Sequence, residues 1–270
     1  MGERPRFIGD LITLAAIAAL FGAVYLLPPD TSLAEVERAG VLRICVPNLY
    51  PPLVTGKPDA PGLDIEFAQA IADRLRVRLV ANANPAIGRD FNPRNWNVTR
   101  AQCQMLAGGV VVSDTTRSFL DTTPPHLETG WALFAARLPD TLENTKLGFY
   151  SGLVGLDRIA LSQFLQAHKA RVEITASAEA LAEGVRSGRL DAAISEALMA
   201  RQLAGMIGAE VAWLPQPLPR YPVALGLWKG DLTLKRAIFE AIGELDRQGL
   251  TRQLARRYAI APMDAVLRVN

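Results

Sequence analysis

The sequence predicts an α/β protein made of two similar halves, and two observations carry that prediction. Short apolar strands such as Val41-Leu42-Arg43-Ile44-Cys45-Val46 alternate with amphipathic helical stretches, the pattern of parallel sheets covered by helices. After a break at residues 137–140 the same order of strand, glycine-bearing turn and helix begins again. A chain of 270 residues, half of them hydrophobic, suffices for one large domain or two modest ones.

Residues 11–27, LITLAAIAALFGAVYLL, form an apolar run without a charge, at the short end of the roughly 17 to 25 residues that span a bilayer as a helix. Arg4 and Arg6 precede it and Asp30 and Glu35 follow it, so the charge bias puts the amino terminus inside and the rest of the chain outside. The run ends in Val24-Tyr25-Leu26-Leu27-Pro28, without the small-x-small site of a cleaved signal. Residues 1–29 therefore read as a membrane-anchoring helix ahead of an exported protein, with a cleaved signal peptide as the alternative.

Residues 30–40 read as a polar connection with at most one helical turn, and 41–46 as a buried strand stopped by Pro47. After a loop over 48–61, residues 62–75 read as an amphipathic helix with Phe67, Ala68, Ile71 and Leu75 on one face and Asp64 placed to cap its first turn. A strand at 77–81 completes the opening unit. A helix at 95–103 leads into a strand at 105–112, where Gly108 and Gly109 let another backbone or a ligand approach. A polar stretch, 113–117, follows it. The strand at 131–136 is broken by Pro139 and Asp140, which places the crossing to the second half near Arg137.

In the second half, strands at 147–149, 172–175 and 192–195 alternate with helices at 156–167 and 178–187, and 151–155 is a glycine-bearing turn. An apolar stretch at 211–214 follows. The proline-rich segment 215–222 returns to the first half, which ends in a strand at 223–228 and helices at 232–247 and 250–258. The expected organisation is a first lobe of residues 38–136 with 222–262, interrupted by a second lobe of residues 137–221. In both lobes the turns set helix amino termini, with their unpaired N–H groups, beside the sheet edge, a setting for a small carboxylate.

Composition excludes several function classes. Twenty-nine basic residues against 27 acidic ones leave a charge of +2, which gives no basic surface for nucleic acid. Two cysteines, Cys45 and Cys103, and two histidines, His126 and His168, have no metal-site spacing, so neither a metal nor a cofactor is expected. Phosphate-binding loops, dinucleotide fingerprints and the G-x-S-x-G nucleophile turn are absent from the sequence.

Leu42-Arg43-Ile44-Cys45-Val46 with Tyr50-Pro51-Pro52-Leu53, and Gly62-Leu63-Asp64-Ile65-Glu66-Phe67-Ala68, are similar to the opening motifs of the family 3 extracellular solute-binding proteins. Trp96, Ala107-Gly108, Thr115-Thr116-Arg117, Glu128-Thr129-Gly130, Ser187-Gly188-Arg189-Leu190-Asp191-Ala192-Ala193 and Gly249-Leu250-Thr251 recur in that family's order. The resemblance covers nearly everything after Leu42. It implies the type II periplasmic-binding-protein fold, two α/β lobes on a two-crossing hinge that close on a polar amino acid or similar small carboxylate. It also implies an inner-membrane ABC permease as partner and a periplasmic location, here with residues 11–27 as anchor.

Carried over residue by residue, the resemblance gives Arg117 a bidentate clasp on the ligand carboxylate, as planar guanidinium geometry allows, and gives Glu196 the ligand ammonium. Glu196 stands where the family usually has an aspartate. Tyr50, Leu53 and Trp96 would wall the ligand; Gly109, Ser113 and Thr116 would add hydrogen bonds to its carboxylate; Ser151 and Gly152 would present N–H groups from the second lobe. Asp191 reads as structural. Two departures stand out: extra residues between Gly109 and Arg117, and Asp121-Thr122-Thr123-Pro124-Pro125-His126 in place of the common aromatic and proline stretch.

Cys45 and Cys103 resemble a subgroup of binding-protein-like partners of periplasmic quinoprotein dehydrogenases. That similarity implies a disulfide between neighbouring strands, with two buried thiols as the alternative. It also leaves a dehydrogenase-partner reading beside the transport one. A third reading, an enzyme like the cyclohexadienyl dehydratases with Glu196 or His126 as acid or base, has no residue pattern that selects it, and a non-enzyme is expected.

Overall fold

A computed structural model describes residues 6–25, 29–150 and 155–268. The chain divides into two units, Met1–Thr31 and Ser32–Asn270. The first contains the helix α1 (Arg6–Tyr25), on which Leu11, Ile12, Leu14, Leu20 and Phe21 are exposed; its side chains are described over residues 9–22. Among the described residues no helix is long and apolar enough to cross a membrane. The membrane-spanning expectation for residues 11–27 therefore gains no support from them, and residues 26 and 27 lie outside the described residues.

The second unit opens with α2 (Ser32–Ala39), β1 (Val41–Val46), α3 (Leu63–Arg74), β2 (Arg78–Ala83) and β3 (Met105–Val111). Strand β1 lies between β2 and β3, parallel to both, the strand, helix, strand unit of a parallel sheet that the sequence pattern predicts. Next come α4 (Asp114–Phe119), β4 (Leu120–Thr122), β5 (Leu127–Thr129) and β6 (Trp131–Ala135). Then follow β7 (Lys146–Phe149), α5 (Arg158–Ala167), β8 (Arg171–Ile174), α6 (Ala178–Arg186), β9 (Ala192–Glu196), α7 (Ala197–Ile207) and β10 (Glu210–Trp213). The chain closes with β11 (Tyr221–Trp228), α8 (Leu232–Arg247) and α9 (Leu250–Arg257).

The first sheet has the order β2-β1-β3-β11-β4 with β5 paired to β11, and the second the order β10-β6-β9-β7-β8. Leu42, Ile44, Phe67, Ile71, Met105, Leu225 and Ile238 form the core between the first sheet and helices α3 and α8. The second sheet buries both faces: Leu133, Leu147 and Ile194 pack with Leu161 and Leu165 of α5, and Phe134 and Ala193 with Leu181 of α6 and Leu203 of α7.

Several expectations need correction. Strand β6 belongs to the second sheet, where it pairs with β9 and β10, so the crossing falls at Gly130 rather than near Arg137. Its apolar sequence suits burial in either sheet and could not reveal which. The helix expected over 95–103 is only a 3-10 turn, Pro93–Trp96, ended by Asn97 at φ 52. Residues 30–40 contain a two-turn helix, α2, and α7 was not anticipated at all. Asp64 does not cap α3, whose first turn has no side-chain cap.

The hinge is also more than two crossings. Beyond α9 the tail returns to the second sheet, where Val266 bridges Trp213 and Leu267 is buried in the core.

The pairing implied for Cys45 and Cys103 is present: the two form a disulfide with Cα atoms 5.6 Å apart. It sits in a compact apolar cluster with Ile87, Trp96, Leu106, Val110 and Leu120.

Candidate ligand site

Two consecutive glycines, Gly108 at φ +88 and Gly109 at φ +92, bend β3 in a conformation that disfavours any side chain. A Cβ on Gly108 would stand 2.3 Å from Pro47 Cδ, and one on Gly109 would stand 2.3 Å from Tyr50 Cε1. The Tyr50 ring thus rests directly on the Gly109 backbone. Asp64, fully buried, holds this turn: its Oδ2 accepts the Gly108 N–H at 2.7 Å, while Oδ1 lies 2.9 Å from His126 Nε2. The imidazole is itself buried and stacks 5.0 Å from the Phe67 ring.

Tyr50 points from this turn toward the second sheet. Burial pushes its phenol well above the ordinary tyrosine range, the charges of Glu196 and Asp64 push the same way, and a hydrogen bond with the Thr129 side chain opposes them. Thr129 also donates its hydroxyl to Glu196 Oε1. Glu196 forms the N-cap of α7, accepting the Leu198 N–H at 2.9 Å and the Met199 N–H at 3.1 Å. Desolvation raises its pKa above the ordinary glutamate range, against the pull of those donors and of the Arg201 charge. Tyr50 of the first lobe, Thr129 at the crossing and Glu196 of the second sheet therefore converge on one buried point. Among the described residues no salt bridge engages Glu196.

The other expected site residues lie in three settings. Ser113 caps α4 by accepting the Thr116 N–H at 3.1 Å, and the Ser113 and Thr116 hydroxyls lie 3.1 Å apart. Arg117 stands on the same helix, exposed, and among the described residues its guanidinium has no hydrogen bond. Trp96 is only 1% exposed, belongs to the cluster around the disulfide and donates its indole N–H to the Asp90 carbonyl at 3.1 Å. It is a core residue there and not the wall of a cleft. Ser151 and Gly152 lie outside the described residues. Asp191 is structural as read, its Oδ2 accepting the Lys146 N–H at 2.7 Å.

Thr129 and Asp64 belong to this neighbourhood and are not assigned to it from sequence, and His126 enters there only as the acid or base of the dehydratase reading. The signal for Thr129 is its place in the Glu128-Thr129-Gly130 motif, at what proves to be the crossing. The Glu179 carboxyl on α6 titrates below the ordinary glutamate range, chiefly because its own N–H and the Ser177 hydroxyl stabilise the charge. Among the described residues no group of three or more histidine, cysteine or acidic side chains could hold a metal ion. Chemically, a buried carboxylate flanked by a phenol and a hydroxyl is suited to an ammonium group.

No family model matches the chain. It is 22% identical over 265 residues to the L-cystine-binding protein TcyJ of Escherichia coli (strain K12), covering 92% of this chain and 94% of that protein. An ancestral cationic amino acid solute-binding protein, AncCDT-1, superposes with a TM-score of 0.67 at 18% identity, over 84% of this chain and 99% of that one. A polar amino acid ABC uptake transporter substrate-binding protein from Streptococcus thermophilus also gives 0.67 at 18% identity, over 85% of this chain and 90% of that one. An ancestral cyclohexadienyl dehydratase shares the fold as well, with a TM-score of 0.56 at 19% identity, over 87% of this chain and 98% of that one. From its opening strand to its terminal helices, the chain has the mixed α/β fold of these amino-acid-binding proteins.

Proposed function

We propose that this protein is an exported solute-binding protein that captures an amino acid, or a small carboxylate of similar size, between its two sheets and delivers it to an inner-membrane ABC permease. The observation that carries the reading is Glu196, a buried carboxylate whose three hydrogen-bond donors are all neutral groups. A buried charge is costly until an opposite charge meets it, and a ligand ammonium supplies that charge. Arg117 takes the ligand carboxylate through its two-pronged guanidinium. Ser113, Thr116 and the Gly109 backbone lie on the chain segment leading to it, and Ser151 and Gly152 contribute from the second lobe. Relatives named for cystine and for cationic or polar amino acids support the ligand class.

Because the two charges sit on elements of different lobes, ligand contacts are complete only when the lobes are together, so binding shifts the population toward closure. Capture needs no bond-breaking step, and Glu196 acts as a counter-charge and not as an acid or base. The amino-terminal segment 11–27 is assigned to export and tethering on the charge bias of Arg4 and Arg6 and on the exposed apolar side chains of α1. Recovery of the full chain in the soluble fraction after osmotic shock would overturn the tether alone.

The ligand reading is tested by calorimetric titration of residues 31–270 with the common amino acids and small organic acids. One chemical class is expected to bind, with a loss of at least about 10-fold in Arg117→Ala and in Glu196→Ala, the order expected for a charged hydrogen bond. Silence across the panel overturns it and directs pull-downs toward a dehydrogenase partner, whereas turnover of prephenate or arogenate replaces it with a dehydratase.

A further inference from the structure

Two consecutive residues of the tail are anchored in different lobes. Tyr258 and Ile260 belong to the first core: the Tyr258 hydroxyl donates to Glu66 Oε1 at 2.5 Å and accepts the Gly62 N–H at 2.8 Å, and the Ile260 N–H donates to the Ala255 carbonyl at 2.9 Å. The next residue is bound to α7 of the second lobe. The Ala261 N–H donates to the Arg201 carbonyl at 3.2 Å, and the Ala261 carbonyl accepts Arg201 Nε at 2.6 Å. Further on, the Met263 carbonyl accepts the Trp213 indole N–H at 3.2 Å. The Trp213 N–H donates to the Ala265 carbonyl at 2.9 Å, and its carbonyl accepts the Leu267 N–H at 2.8 Å.

Successive Cα atoms are about 3.8 Å apart, so this junction has no slack, and Pro262 stiffens it. The first crossing is equally tight. Thr129 pairs with Tyr221 in the first sheet, Trp131 pairs with Glu196 in the second, and only Gly130 separates them.

We propose that residues 259–267 form a strap which, together with Gly130, fixes the axis about which the two lobes turn and limits how far they open. Two points held at constant separation permit rotation about the line through them and oppose any motion that pulls the sheets apart along the hinge. A displacement of the second lobe away from the first must stretch the Ile260–Ala261 peptide or strip the tail from Trp213 and Arg201. The inference is independent of what the cleft binds.

The test adds slack without removing a contact. In the full chain, Asp59→Cys in the first lobe and Arg186→Cys in the second, both exposed positions, carry spin labels for a distance measurement. Inserting Gly-Ser-Gly-Ser between Ile260 and Ala261 adds up to about 13 Å of reach. The expected result is a longer and broader distance distribution at an unchanged melting temperature. The same insertion after Gly230, a turn with nothing near its α-carbon substituent position, should leave the distribution unaltered. An unaltered distribution after the strap insertion, or an equal change in the Gly230 control, overturns the proposal. Should the strap insertion prevent folding, Leu267→Asp detaches the far end instead, and an unaltered distribution there overturns it as well.

Discussion

His126 Nε2 lies 2.9 Å from Oδ1 of Asp64, and the other oxygen of that carboxylate accepts the Gly108 N–H at 2.7 Å. All three groups are out of solvent, so removal of the acid strands an imidazole and a backbone donor together. Asp64→Ala should therefore lower unfolding stability by roughly 2–5 kcal/mol, about 1–3 kcal/mol for each buried polar group left without its partner. Asp64→Asn, which keeps one acceptor, should cost less. Urea denaturation of both variants decides it; a loss below about 1 kcal/mol in the alanine variant would show that the pair does not hold the turn.

Gly109→Ala combines a left-handed backbone with a Cβ 2.3 Å from the Tyr50 ring. The backbone contribution alone is about 1–2 kcal/mol, and the ring must move away from Thr129 and Glu196. Stability should drop by more than the backbone amount, and amino acid affinity should change with it. Adding Tyr50→Ala opens the space again, so the double variant should recover the steric part, which a double-mutant cycle reads directly.

The Cys45–Cys103 bridge spans 58 positions of sequence. By the chain-entropy relation, removing it should cost about 4 kcal/mol. Because the Trp228 indole donates to the Cys103 carbonyl at 2.7 Å, tryptophan fluorescence should report the change when the oxidised protein and Cys45→Ala/Cys103→Ala are unfolded in parallel. Equal midpoints would contradict the expectation.

Glu196 titrates above the ordinary glutamate value of 4.5 because it is buried. Between that value and its raised folded value the native state holds more protons than the unfolded chain, so stability contributed by Glu196 is present at lower pH and is lost as pH rises through the folded pKa. Melting temperature followed over pH should show this decline, and Glu196→Gln should lack it. A ligand ammonium pairs with the ionised form, so affinity should move in the opposite direction, rising with pH over the same window.

The strand and helix alternation was legible because buried parallel strands and amphipathic helices have distinct periods, as in Val41–Val46 and Leu63–Arg74. Tertiary pairing was not. Asp64 reads as a helix cap by position, yet its carboxylate turns to Gly108 and His126, residues 44 and 62 positions away. Trp96 matched a family position but fell into the apolar cluster that the disulfide organises, since a large indole is buried wherever a core has room. The disulfide itself came from resemblance and not from residue spacing. The meeting of Tyr50, Thr129 and Glu196 depends on where the chain crosses between sheets, and one misassigned strand, β6, was enough to hide it.

Strand β11 also dictates an order of assembly. It lies between β3 and β4 and pairs with β5, so the lobe synthesised first cannot close its sheet until residues 221–228 have left the ribosome. The five strands of the interrupting lobe run in one stretch from Trp131 to Trp213, so its sheet needs no such wait, and only the tail around Val266 and Leu267 is added to it later. The sheet of the younger half can pair before that of the older half, and the longer loop closure makes the amino-terminal sheet the slower one to form.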